Sequence, residues 1–247
     1  MEMVNVIIDG VSVQVEAGST VLQAAQKAGI NIPTLCYLKD VNQIGACRVC
    51  LVEVKGAKAL QPSCVYPVTE AMEIFTNTPK VIESRKKTLQ LMLSTHQKNC
   101  LSCVRSGNCE LQKLCKEYGI DDEGKYDGDK PVYEIDYSAA HMVRDNNKCI
   151  LCRRCVAACR QQFVGVIGPN NRGFETSIGC AFEKNLSETA CIHCGRCIDH
   201  CPVGIDVVSV EKALRIKDEE KRELKLIDTG VRQCYECACC TYVCPAQ

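Results

Sequence analysis

Three stretches of this chain share one frame. CILCRRCVAAC begins at Cys149, CIHCGRCIDHC at Cys191 and CYECACCTYVC at Cys234, each spaced C-x2-C-x2-C-x3-C. A loop with a thiol at every third residue has to curl around something that binds sulfur. Soft thiolates select iron–sulfur clusters or zinc. The first two copies lie close together and Pro202 follows Cys201, which is the run of two-cluster bacterial ferredoxins. Ligation in that run is crossed. Cys149, Cys152 and Cys155 are expected to share a [4Fe–4S] cluster with Cys201, and Cys191, Cys194 and Cys197 to share another with Cys159. The third copy stands alone, with Cys239 inserted and Pro245 following. Cys234, Cys237, Cys240 and Cys244 hold a further cluster, or Cys244 points away and Cys239, Cys180 or Cys115 replaces it. Zinc, or an unfilled tail, is the bland alternative there.

Two more constellations precede these. Cys36, Cys47, Cys50 and Cys64 are spaced C-x10-C-x2-C-x13-C. The central C-x2-C of plant-type [2Fe–2S] sites is kept while the outer gaps differ, so zinc stays open on spacing alone. Gly45 would let the backbone approach a cluster and donate N–H groups to its sulfurs, or it is ordinary turn chemistry. In HQKNCLSCVRSGNC, Cys100, Cys103 and Cys109 leave one corner of a cubane unfilled. His96 or Cys115 can fill it, although a histidine at a helix end is more often a solvated cap. His193 and His200 sit beside cysteines at spacings that do not demand ligation. Arg153, Arg154, Arg160 and Arg196 read as a solvated face, with cluster tuning or an acidic partner as the alternative.

Composition narrows the context. There are 22 cysteines in 247 residues, a density that suits a secreted disulfide scaffold or a metal protein. The start, MEMVNVIIDG, has no basic segment followed by a long apolar one. No stretch of about 20 apolar residues offers a membrane span. The expectation is a cytoplasmic chain whose cysteines are ligands. Its 30 basic and 30 acidic residues argue against nucleic acid as a partner. With no tryptophan and 5% aromatic residues, the core is modest, and bound metal has to supply part of the folding energy. No G-x-G-x-x-G after a strand and no P-loop is present, so no nucleotide site is expected. No catalytic residue is assigned.

Residues 3–16 alternate and turn at Asp9-Gly10, which predicts a hairpin with Val11, Val13 and Val15 on one face. Ser19 is expected to cap a helix over TVLQAAQKAG that stops at Gly29. CLVEVKG and AMEIFTN read as strands, and Thr78-Pro79 opens a helix over VIESRKKTLQLMLSTH. Residues 120–137 are acidic and read as a surface connector. From 143 onward the chain reads as short loops between cysteine motifs, with a charged, helical stretch at 206–227.

The motif order, and CLSCVRSGNCELQKL, CILCRRCVAAC and CIHCGRCIDHCPVG in particular, resembles the N-terminal electron-transfer region of iron-only hydrogenases and of the large iron–sulfur subunit of complex I. In length it is similar to the small iron–sulfur subunit of soluble NAD-linked hydrogenases. The resemblance covers residues 1 to about 212. It implies an α+β architecture: a β-grasp [2Fe–2S] ferredoxin-like domain over 1–78 on Cys36, Cys47, Cys50 and Cys64, then a small helical [4Fe–4S] domain over 79–119 with His96 as fourth ligand beside Cys100, Cys103 and Cys109. A connector over 120–142, a two-[4Fe–4S] ferredoxin-like domain over 143–212 and a helix with the extra iron–sulfur motif over 213–247 follow. Cys180 and the C-terminal motif depart from the pattern. One [2Fe–2S] and three [4Fe–4S] clusters are implied, with a further [4Fe–4S] cluster at the C-terminus.

The implied function is a non-catalytic electron-transfer subunit of a hetero-oligomeric oxidoreductase. It would relay single electrons between a flavin/NAD(P)H-binding diaphorase-type subunit and a hydrogenase or formate dehydrogenase-type subunit or soluble ferredoxin, in a complex that bifurcates electrons. The alternatives are the truncated front end of an iron-only hydrogenase-like enzyme and a structural zinc-binding interaction protein.

Overall fold

A computed structural model describes residues 2–103, 105–120, 125–126, 128–139 and 142–203. The C-terminal motif from Cys234 to Cys244 and the expected helix at 206–227 lie outside them. The chain divides into two compact units. One is residues 1–94 with 111–128, here the sheet unit. The other is residues 95–110 with the described residues from 129 onward, here the loop unit.

The sheet unit starts as the alternation predicts. Strands β1 (Met3–Ile8) and β2 (Val11–Glu16) pair antiparallel around Asp9-Gly10, with Val6 opposite Val13. Asp9 and Gly10 both take positive φ, as a tight primed turn requires. Val4, Val6, Ile8, Val13 and Val15 turn inward. Val11 does not: it pairs with Ile8 at the turn and is 48% exposed. Helix α1 (Val21–Lys27) buries Val21, Leu22, Ala24 and Ala25 against that face. Each such aliphatic side chain of valine or leucine size contributes roughly 1.5–3 kcal/mol when fully buried.

The cap of α1 is Thr20, not Ser19. Thr20 Oγ1 accepts from the Gln23 N–H and Gln23 Oε1 accepts from the Thr20 N–H, a reciprocal capping box. Ser19 instead spends its main chain on Glu16 and Val68.

Strands β3 (Leu51–Val54), β4 (Gln61–Pro62) and β5 (Met72–Phe75) complete a five-stranded sheet in the order β2-β1-β5-β3-β4. The β1–β5 pairing is parallel and the others antiparallel. A mixed sheet gripping one helix is the β-grasp arrangement. Helix α2 (Pro79–Thr95) follows; Pro79 occupies its first turn and Thr78 Oγ1 accepts from the Val81 N–H. Its buried face is Val81, Arg85 and Leu89, spaced four apart. Helix α3 (Glu110–Glu117) buries Leu111 and Leu114.

The loop unit holds more regular structure than its sequence suggests. Strands β6 (Asp136–Ala139) and β7 (Met142–Arg144) form one hairpin, within and just beyond the expected connector. Strands β8 (Ile167–Asn170) and β9 (Ser177–Cys180) form another. Short helices α4 (Arg154–Gln161) and α5 (Arg196–Asp199) follow the cysteine loops. Among the described residues one buried apolar cluster joins Ala139, Ile167, Cys180, Leu186 and Ile198, with Val166, Cys155, Cys159, Cys191 and Cys197 packed against it. Among the described residues no helix is long and apolar enough to cross a membrane.

Candidate metal centres

The sheet unit gathers Cys36, Cys47, Cys50 and Cys64. All four are buried: Cys36 and Cys64 are 0% exposed, Cys50 1% and Cys47 8%. The Cys36 N–H points at Cys47 Sγ (3.4 Å) and the Cys47 N–H at Cys36 Sγ (3.5 Å), while Cys50 Sγ lies 3.4 Å from Cys64 Sγ. The main-chain N–H groups of Ala46 and Val49 join those of Cys36 and Cys47 as donors to these sulfurs. Gly45 is needed for shape: its φ is +60°, and a Cβ there would lie 3.2 Å from Val65 Cγ2. Arg48, between the central cysteines, is also left-handed.

A hydrogen bond from Cys47, helped by Cys64, holds Cys36 well below the usual thiol range, and Cys64 does the same for Cys50. Thiol hydrogen bonds, with Cys36 for Cys47 and with Cys36 and Cys50 for Cys64, and burial push Cys47 and Cys64 up. Four sulfurs packed this way cannot all ionise unless a cationic core joins them, which is what a metal cluster provides.

In the loop unit, His96 is 9% exposed and its Nδ1 has no hydrogen-bond partner. Burial, with the Lys148 charge, holds the imidazole below its usual range, so the ring is kept in the neutral form a metal needs; a hydrogen bond with the Lys148 main chain and the Asp145 charge act the other way. The expected solvated cap is therefore a buried ring with one nitrogen available. The Gln97 N–H donates to the Asn147 carbonyl at 2.9 Å, which sets the His96 turn beside the approach to Cys149. Cys100 is exposed, and Cys103 and Cys109 are half-buried. Cys100 and Cys103 share one turn, closed by a main-chain hydrogen bond of 3.2 Å.

The Cys149 and Cys191 loops have the same backbone. Leu151 (φ 55°) and His193 (φ 52°) occupy one position of the frame in the left-handed region, and Arg153 (φ 60°) and Gly195 (φ 72°) occupy the next but one. The Leu151 N–H donates to Cys149 Sγ at 3.3 Å and the His193 N–H to Cys191 Sγ at 3.4 Å. A non-glycine residue in that region costs about 1–2 kcal/mol. The chain repeats the cost at matching positions, and each time it aims an N–H at a sulfur.

The thiols that influence one another electrostatically fall into two groups. Cys149, Cys152 and Cys155 feel Cys201, and Cys191 and Cys197 feel Cys194 and Cys159, while Cys155 also feels Cys197 across the two groups and Cys191 feels Cys180. Burial pushes Cys149 up to about 11 and Cys152 and Cys197 to about 12, and raises Cys155 and Cys191 as well. Without metal these sulfurs stay protonated and inert. Among the described residues no three His, Cys, Asp or Glu side chains converge closely enough for a single ion.

Of two arginines at these sites, the sequence places one, Arg154, on a solvated face and does not single out the other, Arg144. Arg154 is 7% exposed, not part of a solvated face; its Nη1 meets Glu110 Oε1 at 2.7 Å. Glu110, next after Cys109, also donates its N–H to the Pro202 carbonyl at 2.9 Å, beside Cys201. Arg144 bonds Asp136 Oδ2 at 3.1 Å and places Nη1 3.7 Å from Cys180 Sγ. Cys180 is fully buried on β9, its thiol close enough to Cys191 to raise it. Cys115 is half-buried on α3.

Comparison with known proteins follows the same order along the chain. Residues 1–79 match the family described as a 2Fe-2S iron–sulfur cluster binding domain, and 85–123 the NADH-ubiquinone oxidoreductase-G iron–sulfur binding region. Residues 148–205 and 183–245 match two families described as 4Fe-4S dicluster domains. The NADP-reducing hydrogenase subunit HndD of Solidesulfovibrio fructosivorans is 46% identical over 211 residues, covering 83% of this chain and 36% of that protein. The NADH-ubiquinone oxidoreductase 75 kDa subunit of Reclinomonas americana is 39% identical over 230 residues, covering 92% of this chain and 32% of that protein. The chain thus spans about a third of the length of these curated relatives. A chain in the crystal structure of an NAD+-reducing [NiFe]-hydrogenase in the H2-reduced state superposes with a TM-score of 0.76 at 30% identity, covering 81% of this chain and 85% of that one.

Proposed function

The chain belongs to the family of multi-cluster iron–sulfur subunits of NAD(P)-linked hydrogenase and NADH-oxidoreductase complexes, and from that premise we propose that it relays single electrons through a succession of bound clusters. The observation that carries the reading is the unbroken series of cluster-type modules on one chain. Such a series is useful only where electrons enter and leave at separated points.

The ligand sets proposed are Cys36, Cys47, Cys50 and Cys64 for a [2Fe–2S] cluster, and His96, Cys100, Cys103 and Cys109 for a [4Fe–4S] cluster. Two more [4Fe–4S] clusters take Cys149, Cys152, Cys155 with Cys201, and Cys191, Cys194, Cys197 with Cys159. A further one takes Cys234, Cys237, Cys240 and Cys244. The buried thiol quartet, the available Nδ1 of His96 and the two electrostatic groups of thiols support the first four sets. What a bound cluster supplies is one-electron transfer; the chain contributes ligand type, N–H donors to sulfur and burial.

Electrons would arrive from a flavin/NAD(P)H diaphorase-type subunit and leave to a catalytic subunit of hydrogenase or formate dehydrogenase type, or to ferredoxin at the C-terminal motif. Exchange at both ends would suit a bifurcating complex in the cytoplasm, and substrate chemistry would belong to the partners. The test is metal analysis and EPR on anaerobically purified protein, with about 18 irons per chain expected from one binuclear and four cubane clusters. A colourless protein dominated by zinc overturns the proposal. Co-purification of a flavin subunit, and reduction of the clusters by NADH or NADPH only in its presence, test the partner assignment.

A second reading, the front part of a longer hydrogenase-like polypeptide, is favoured by the 36% coverage of the hydrogenase relative. The mass of the native polypeptide discriminates the two.

A further inference from the structure

Among the described residues Arg85 is the largest fully buried side chain, 1% exposed, on the otherwise apolar stripe of α2 between Val81 and Leu89. Its Nε donates to the Val49 carbonyl at 3.1 Å and its Nη2 to the Leu51 carbonyl at 3.0 Å, so the guanidinium fork straddles Cys50. Nη1 donates to Asn77 Oδ1 at 3.2 Å and to the Tyr118 hydroxyl at 3.0 Å. Among the described residues these acceptors are two carbonyls, an amide and a phenol, and none of them is anionic. A guanidinium keeps its charge inside proteins. Burying it against neutral acceptors alone is strongly unfavourable, and neutral donors could have tethered the same loop.

We propose that Arg85 is the counter-charge of the four-cysteine site: fixed to the carbonyls on either side of Cys50, it offsets the negative charge of four metal-bound thiolates and raises the reduction potential there. This rests on Cys36, Cys47, Cys50 and Cys64 holding a [2Fe–2S] cluster. Reduction adds one negative charge to the site. A fixed cation on the loop, screened by little water, favours the reduced form. Arg85 acts as a positioning residue as well, because its fork ties α2 to the loop that carries Cys50. The two roles separate experimentally, since the grip follows the planar fork and the potential follows the charge.

The experiment is an anaerobic redox titration of the full chain, followed by EPR, for the unsubstituted protein and for Arg85→Lys, Arg85→Met and Asn77→Asp. In Arg85→Met the ratio of reduced to oxidised binuclear cluster at a fixed poise should fall about tenfold, equivalent to about 59 mV for one electron. Arg85→Lys should recover most of that. Asn77→Asp keeps the bonds of Arg85 while placing a carboxylate against Nη1, and should shift the ratio in the same direction by about threefold. The cubane signals should not move. A ratio within twofold of the unsubstituted chain in both Arg85→Met and Asn77→Asp overturns the proposal. Should Arg85→Met assemble no binuclear cluster, Asn77→Asp decides. Absence of any binuclear signal in the unsubstituted chain overturns the ligand assignment and this inference together, whereas a normal signal with an unmoved ratio overturns this inference alone.

Discussion

In the sheet unit, the four buried thiols sit in a frame built mostly of aliphatic side chains. The buried valines of β1 and β2, the aliphatic face of α1 and Ile74 of β5 form a continuous core that Cys50 and Cys64 join. In the loop unit the proportions are reversed. Among the described residues, Cys180 is part of a buried cluster with Ala139, Ile167, Leu186 and Ile198, and Cys155, Cys159, Cys191 and Cys197 pack against it. Left-handed turns repeated at Leu151 and His193 shape the loops. On the ligand sets proposed above, the difference teaches that the first site would be largely pre-formed, while at the later ones metal binding and folding would be one event.

Stripping metal anaerobically should break this comparison most visibly. In hydrogen exchange, β8, β9, α4 and α5 are expected to lose protection while β1, β2 and β5 keep it. Equal loss in both units would show that the sheet unit is no more self-sufficient than the other. A core substitution sharpens the same point: Leu22→Ala should destabilise the metal-free sheet unit by about 2–5 kcal/mol in a denaturant titration and leave cubane EPR signals unchanged.

Glu110→Gln probes the loop unit. It breaks an ion pair whose Arg154 side chain is 8% exposed but whose Glu110 side chain is 46% exposed. The expected cost is about 1–3 kcal/mol, below that of a fully buried pair, read as faster cluster loss to chelator. An unchanged rate would make the pair incidental.

The smallest effect is a pH dependence. Burial opposes the charge of Asp136, but hydrogen bonds from Ser138 and Leu186 and the Arg144 charge outweigh it and hold the carboxyl below its usual range. Its contribution is therefore present above the ordinary aspartate value, about 3.9, and is lost as pH falls through the lower folded value. Asp136→Asn should flatten that acid limb, and identical acid unfolding of the two proteins would remove Asp136 from the account.

The elements legible in the sequence are those with a local chemical cause. Asp9-Gly10 turns because it must take positive φ, α2 starts at Pro79 because proline suits a first helical turn, and the cysteine frames announce themselves. Ser19 and Thr20 differ only in which hydroxyl meets Gln23, a choice set by where Val68 claims the Ser19 carbonyl. The β8–β9 hairpin is invisible because IGPN and SIGC carry glycine and proline in place of apolar alternation. Local pattern assigns arginine to water, so Arg85 and Arg154 do not stand out from surface charge. Their burial is decided by residues distant in sequence, Val49 and Tyr118 for one and Glu110 for the other.

On the proposed ligand sets, the Glu110 joint would have a kinetic meaning. Its carboxylate holds Arg154, between Cys152 and Cys155, and its N–H holds Pro202, beside Cys201, while Glu110 itself adjoins Cys109. On the ligand sets proposed above, one residue is tied to the surroundings of two neighbouring redox centres. The probability that an electron tunnels across a gap falls exponentially with the width of that gap. A joint of this kind therefore acts as a spacer: by limiting the breathing between two sites, it would keep a hopping step from becoming the slow one.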